Sequence, residues 1–216
     1  MKNIYETRFY DILTKITDLV IANLLFIIGS LPVITIGVSA RALYCSILKL
    51  DNREHSVKCI FWSAYREKFW QMLACSAVFA VTAILLLADF IIVTQYWDSA
   101  FAQVCSGLII AAGIVLFLTL EYFFSILAAH NIKIGDAIVN SFVLSMRYLP
   151  RSLAICILDV FPIALAYFWT YIMQVFLPVW ICIGFALTAY VNVRLMRPAF
   201  NDIKNKDADF GEGYEQ

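Results

Sequence analysis

The stretch that decides the fold covers residues 69–129 and reads FWQMLACSAVFAVTAILLLADFIIVTQYWDSAFAQVCSGLIIAAGIVLFLTLEYFFSILAA. Its only charged residues are Asp89, Asp98 and Glu121. A helix needs about 20 apolar residues to cross the hydrocarbon core of a bilayer. The Trp97–Ser99 turn divides the stretch into halves of about 27–29 residues, each long enough to cross. The sequence therefore predicts a transmembrane helical hairpin over residues 69–129.

The composition of the whole chain agrees with a membrane protein. Hydrophobic residues make up 62% of the 216 residues and charged residues 15%, whereas soluble domains average about 45–50% and about 25%. The formal net charge is zero, so overall electrostatics gives no reason to expect a nucleic-acid partner. We expect an all-α, polytopic transmembrane bundle whose main partner is the lipid bilayer.

Two further apolar blocks flank the central hairpin. Residues 152–197 carry Asp159 as their only charge up to Val193 and break near Gln174–Pro178, which predicts a second full hairpin. Residues 19–50 are interrupted by Gly and Pro between residues 29 and 37, and these residue types break helices. This first block is either one tilted crossing followed by an interfacial helix, or two short crossings.

The placement of Lys and Arg favours an even number of crossings in the first block. Basic residues concentrate in short cytoplasmic loops, and they occur on both sides of this block and after each hairpin. The relevant residues are Lys2, Arg8, Lys15, Lys49, Arg53, Lys58, Arg66, Lys68, Lys133, Arg147, Arg151, Arg194, Arg197, Lys204 and Lys206. We therefore predict three helical hairpins, about six crossings, with both termini cytoplasmic. The first hairpin has arms of only about 14–16 residues, so it is short or re-entrant.

The remaining segments complete a single transmembrane domain. Apolar residues recur at helical spacing in the connections 51–68 and 130–151, which predicts amphipathic helices on the cytoplasmic interface. Residues 1–18 are expected to be a cytoplasmic N-terminal segment, and residues 198–216 a polar tail.

No motif in the chain indicates catalysis. The six cysteines, Cys45, Cys59, Cys75, Cys105, Cys156 and Cys182, have no repeated spacing, and a thiol in an apolar run behaves as a small apolar side chain. There are two histidines and no Walker A, HExxH or GxSxG sequence. We predict no catalytic residue, no cofactor, no metal and no enzymatic activity.

Five charged residues fall inside predicted membrane segments and are the candidate functional or structural polar residues: Arg41, Asp89, Glu121, Asp159 and Arg194. The three-hairpin arrangement places the first two in the outer half of the membrane. It places Glu121 and Asp159 at matching depth in the inner third, with Arg194 nearer the inner surface. Either they line a polar path for a proton, ion or sugar, or they form ion pairs between hairpins. We expect Glu121 and Asp159 to face the bundle rather than lipid.

One segment resembles a known family. The residues Leu31, Pro32, Thr35 and Gly37 stand in the order Leu-Pro-x-x-Thr-x-Gly, followed by Ala42-Leu43-Tyr44 and by the aromatic stretch 61–69. This pattern resembles the YesL family of small bacterial membrane proteins, a family of unknown function. The resemblance implies a place in the bacterial cell membrane, and a genomic neighbourhood with carbohydrate ABC importers.

Three functions follow as hypotheses. The first is a non-enzymatic accessory or assembly partner of a carbohydrate ABC importer, which would contact the permease subunits through a surface that includes Arg66 and Arg147. The alternative is a small secondary transporter or permease that uses Glu121, Asp159 and Arg194. A third is a sensor of the state of the membrane or of a transporter.

Overall fold

The structure is a computed structural model that describes residues 4–50, 56–96, 99–130, 132–168 and 177–212. All regular elements in these residues are helical, which confirms the predicted all-α bundle. The helices are α1 (Ile4–Gly29), α2 (Ile36–Leu48), α3 (Val57–Arg66), α4 (Phe69–Thr94), α5 (Ala100–Ala129), α6 (Ile134–Arg147), α7 (Leu149–Phe168) and α8 (Phe185–Glu212). A 3-10 turn, Val33–Thr35, precedes α2, and a π-helical turn, Trp180–Gly184, precedes α8.

Four helices of the described chain are long and apolar enough to cross a membrane, which identifies a membrane protein. They are Tyr10–Gly29, Phe69–Thr94, Ala100–Ala129 and Leu177–Ile203. The bent pair Ile134–Arg147 and Leu149–Pro162, with an angle of 98° between its halves, raises the number to five. The central hairpin forms as predicted. The prediction of about six crossings included a short or re-entrant first hairpin, and the 13 residues of α2, which extend only about 20 Å, are too short for a full crossing.

The first apolar block differs most from its prediction. Helix α1 has 26 residues and begins at Ile4, so it is longer than the arm of about 14–16 residues that the sequence predicts. The charged residues before Leu19 do not precede the membrane helix as a separate segment; their backbone continues α1 toward the N-terminus. A full-length helix followed by a short interior one therefore replaces the two short arms.

Contacts along α1 show which way it runs. Asn23 lies against the start of α8, where its side chain bonds to the backbone of Ile181 and Ala186. Six residues later, the Gly29 carbonyl accepts a hydrogen bond of 3.3 Å from the Tyr65 hydroxyl of α3. Helix α1 thus ends at the side of the bundle where α3 lies and α4 begins, here called the α3 end. Helices α1 and α2, joined by the short link 30–35, also pack against each other.

Helix α2 occupies the centre of the bundle. It packs against α1, α3, α4, α5 and α8, and nearly all of its residues from Gly37 to Ile47 are buried. Its short length and interrupted start are tolerated because irregular backbone at membrane depth is stable where protein covers it.

The two predicted amphipathic connections form helices α3 and α6. Helix α6 meets α7 at a sharp corner, where the Ser152 hydroxyl donates to the carbonyls of Ser145, at 2.8 Å, and Tyr148, at 3.1 Å. The expected turn near Gln174–Pro178 lies mostly outside the described residues. Within the predicted polar tail, the residues from Pro198 to Glu212 continue helix α8.

Candidate functional site

A cavity of about 570 Å³ lies among α1, α2, α5, α7 and α8. Its volume falls within the range of small-molecule sites, about 300–1,000 Å³. Two carboxylates, Glu121 and Asp159, are the only charged residues among its described lining. The segment from Ser152 to Val193, which supplies α7 and the start of α8, contains no Lys or Arg. The cavity therefore has an acidic wall without a basic partner.

Each carboxylate is held by an uncharged polar side chain. The Tyr44 hydroxyl of α2 donates a hydrogen bond of 2.5 Å to Glu121 Oε2. The Asn192 side-chain amide of α8 donates to both oxygens of Asp159, at 3.1 and 3.3 Å. This confirms the prediction that Glu121 and Asp159 face the bundle, and it brings them to the same cavity.

Asn192 has an acceptor that no described residue satisfies. The side chain is buried, with 1% of its surface exposed, and its Oδ1 atom receives no hydrogen bond from the described protein. Asn192 also lies beside the Tyr44 hydroxyl, so the four polar groups form one connected set. A buried unsatisfied acceptor costs about 1–3 kcal/mol, so this amide oxygen requires a donor that the described protein does not supply.

The rest of the cavity wall is aromatic or apolar. Phe26, Phe117, Trp180 and Phe185 contribute rings from α1, α5 and the start of α8. The Phe26 and Phe185 rings contact each other with centroids 5.3 Å apart. This combination of a few polar groups on an apolar wall is the usual composition of a small-molecule site.

A π-helical turn borders the cavity at Trp180–Gly184. Such a turn removes backbone groups from the regular helical pattern, and the fully buried Asn23 satisfies two of them. Its Nδ2 donates to the Ile181 carbonyl at 2.6 Å, and its Oδ1 accepts from the Ala186 amide at 2.9 Å. Asn23 thereby fixes the position of two wall residues, Trp180 and Phe185.

Arg41 does not line the cavity, and its guanidinium binds backbone carbonyls at the ends of two helices. Its Nη1 donates to the carbonyls of Ala64, at 2.9 Å, and Glu67, at 3.1 Å, while Nε donates to the Leu127 carbonyl at 3.4 Å. Its Nη2 lies 3.2 Å from Glu67 Oε2. Arg41 thus joins the ends of α3 and α5. The prediction that Arg41 and Asp89 lie in the same half of the membrane is wrong, because Glu67, the partner of Arg41, and Asp89 lie near opposite ends of α4.

Two of the predicted polar residues do not reach the cavity. Arg194 is exposed, and its guanidinium lies 4.7 Å from the centre of the Tyr190 ring. Asp89 is exposed on α4 beside Cys105 and Ile109. Arg194 therefore does not line the cavity with Glu121 and Asp159, and a path through all three residues stays a prediction.

The signature segment, defined by Leu31, Pro32, Thr35 and Gly37, forms the link between α1 and α2 and does not line the cavity. The Thr35 hydroxyl lies 2.7 Å from both the Gly29 and the Pro32 carbonyl, which closes the turn. Leu31 is exposed. A Cβ atom on Gly37 would lie 2.5 Å from Ser76 Cβ and 2.7 Å from Phe124 Cζ, so only glycine allows α2 to approach α4 and α5 so closely.

The predicted partner surface is present in part. Arg66 is exposed in the last turn of α3, whereas Arg147 forms an ion pair of 3.1 Å with Asp202 of α8. Arg147 is therefore also a link between helices. Contact of this surface with a permease stays a prediction.

The fold and the site together define a class: an α-helical membrane protein with an acid-lined cavity among its spanning helices. Residues 19–90, one third of the chain, match a family model described as "Protein of unknown function, DUF624". This match includes the signature segment, Arg41 and Tyr44, but neither cavity carboxylate. No curated protein and no solved structure matches the chain.

Proposed function

We propose that the protein is a small membrane carrier or permease that binds a solute in the cavity between Glu121 and Asp159. The single observation that carries this proposal is the pair of carboxylates facing one cavity inside apolar helices. A charged side chain at the centre of a membrane helix costs at least about 2.5–3.5 kcal/mol. Two such groups on one cavity wall are easier to explain by binding than by packing. The proposal assigns no chemical transformation to the site.

The shape of the surrounding helices supports this function. The cavity is bordered by α2, which begins after a broken segment, and by the π-helical turn before α8. Membrane carriers commonly form their binding sites where helices are interrupted, since the interruption presents polar groups at membrane depth. Helical turns of the π type are also frequent at functional sites.

We further propose that the protein lies in the bacterial cell membrane with the α3 end facing the cytoplasm. Basic residues near that end are numerous: Lys58, Arg66, Lys68, Lys133, Arg147 and Arg151. Basic residues of short loops face the cytoplasm. Because α1 runs toward the α3 end, its N-terminal half would lie near the outer surface. This replaces the earlier expectation of a cytoplasmic N-terminus.

Cysteine labelling tests both the orientation and access to the cavity. In a variant without the six native cysteines, Ser56→Cys is expected to react with an impermeant thiol reagent from the inner side only. Tyr10→Cys, at an exposed site of α1, is expected to react from the outer side only. Labelling of both sites from the same side would contradict the arrangement proposed here.

Thr188→Cys reports on the cavity itself, because Thr188 lines it on α8. The carboxylates should concentrate cationic reagents in the cavity. For each variant, the measured quantity is the rate of reaction with cationic aminoethyl methanethiosulfonate divided by the rate with the anionic sulfonatoethyl reagent. We expect this ratio to be at least about tenfold higher for Thr188→Cys than for Ser56→Cys. Failure of both reagents at Thr188→Cys, with normal reaction at Ser56→Cys, would show that solutes do not reach the cavity.

An accessory role beside a carbohydrate importer rests on the family resemblance and stays a second proposal. The most apolar window of α4 contains no buried residue, so this part of the helix is open to lipid or to partner helices. Co-purification of permease subunits from native membranes would support this role. Solute movement by the protein reconstituted alone would support the carrier.

A further inference from the structure

We propose that the ligand of the cavity is an organic cation that combines N–H donors with an apolar, preferably aromatic, body. This inference deepens the proposed function and rests on it. It names the class of solute that the polar groups and the wall of the cavity would recognise.

The hydrogen-bonding groups of the cavity are predominantly acceptors. Glu121 and Asp159 each present carboxylate oxygens, which accept when ionised. The Oδ1 atom of Asn192 is buried and lacks a donor. Three of its donors are already engaged, because Tyr44 donates to Glu121, the Asn192 amide to Asp159 and the Thr188 hydroxyl to the Phe185 carbonyl. A ligand with N–H donors would form hydrogen bonds with these acceptors, whereas a ligand that offers only acceptors would not.

The charge of the cavity selects a cation over a neutral ligand. Two carboxylates face a space whose described lining contains no basic residue. The nearest buried arginine, Arg41, directs its guanidinium to the backbone of Ala64, Glu67 and Leu127. A neutral sugar would form hydrogen bonds but would leave the acidic wall uncompensated in a medium of low dielectric constant. A guanidinium or ammonium group supplies the donors and the charge together.

The wall of the cavity specifies the rest of the ligand. Four aromatic rings, those of Phe26, Phe117, Trp180 and Phe185, line the same space as the carboxylates. Aromatic faces attract cations, and they also bind flat apolar groups. A volume of about 570 Å³ accommodates a ligand with one ring and a short cationic arm.

The test compares two probes of the same shape and different charge. Benzylguanidinium and benzylurea both carry a benzyl group and N–H donors, but only the guanidinium is charged at neutral pH. Titration calorimetry of the full-length protein in lipid nanodiscs is expected to show at least about tenfold tighter binding of benzylguanidinium. Asp159→Asn and Glu121→Gln should each remove most of this preference. Asp89→Asn, a carboxylate change outside the cavity, should leave it intact.

The outcomes separate the two proposals. Equal binding of benzylguanidinium and benzylurea, or unchanged preference in both cavity variants, would overturn the cation class while the solute site would stand. Absence of binding of either probe to folded wild-type protein would overturn both. Thermal unfolding shows whether each variant still folds. If Asp159→Asn does not fold, Glu121→Gln provides the second test of the preference for the cation.

Discussion

Replacement of Arg41 by leucine is expected to lower the free energy of unfolding by about 3–5 kcal/mol, since it leaves several buried acceptors without a donor. Arg41 is 4% exposed, and its guanidinium bonds to the carbonyls of Ala64, Glu67 and Leu127. These carbonyls belong to the ends of α3 and α5, where the helical pattern offers no donor. The measurement is equilibrium unfolding of the purified protein in mixed micelles.

Glu67→Gln is the matched control for this effect. The Glu67 side chain is 56% exposed, and exposed ion pairs contribute about 0–1 kcal/mol. We expect the Glu67 variant to lose no more than that. If Arg41→Leu costs no more than Glu67→Gln, the ion pair and not the carbonyls defines the role of Arg41, and its assignment as the link between α3 and α5 fails.

Replacement of Gly37 by leucine should destabilise the protein by about 3 kcal/mol or more, at the upper end of overpacked sites. The added Cβ alone would lie 2.5 Å from Ser76 Cβ and 2.7 Å from a Phe124 ring carbon. Since α2 packs against both α4 and α5, one helix must shift. The change in unfolding midpoint and in the yield of monodisperse protein measures the effect.

The control for Gly37 is a glycine in open space. Around Gly107, on α5, no atom of the described structure lies within 4 Å of an added Cβ. Gly107→Leu should change the stability by no more than about 1 kcal/mol, in the favourable direction because leucine has the higher helix propensity. Similar losses at both positions would mean that close packing of α2 is not what requires Gly37.

Much of the fold follows from the sequence because long apolar runs with rare charges leave few alternatives. The hairpin of α4 and α5 is an example, and so are the bundle-facing positions of Glu121 and Asp159, which avoid lipid for electrostatic reasons. The end of the bundle at which α1 finishes is not evident from the sequence, in which Lys2, Arg8 and Lys15 favour a cytoplasmic N-terminus. Basic residues at the start of a helix do not specify where its other end packs.

The uncharged members of the site were missed. Asn23 and Asn192 stand alone in apolar runs without a recurring spacing, and the family pattern that includes Tyr44 does not indicate a contact with a carboxylate. A single amide in a membrane helix is nevertheless a signal, because its polar atoms need partners in hydrocarbon. Arg194 was assigned to the site by its charge, but depth along a helix does not determine the face on which a side chain lies. Its exposed position on α8 follows from packing that the sequence alone does not reveal.

The most direct measurement of the central claim is uptake of radiolabelled benzylguanidinium into proteoliposomes that contain only this protein. The account predicts saturable uptake above that of protein-free vesicles. It predicts at least about tenfold lower uptake for Glu121→Gln and Asp159→Asn, with uptake unchanged for Asp89→Asn. Uptake by the wild type that does not exceed protein-free vesicles, or that survives in both cavity variants, would contradict the assignment of the Glu121–Asp159 cavity as the path of a transported solute.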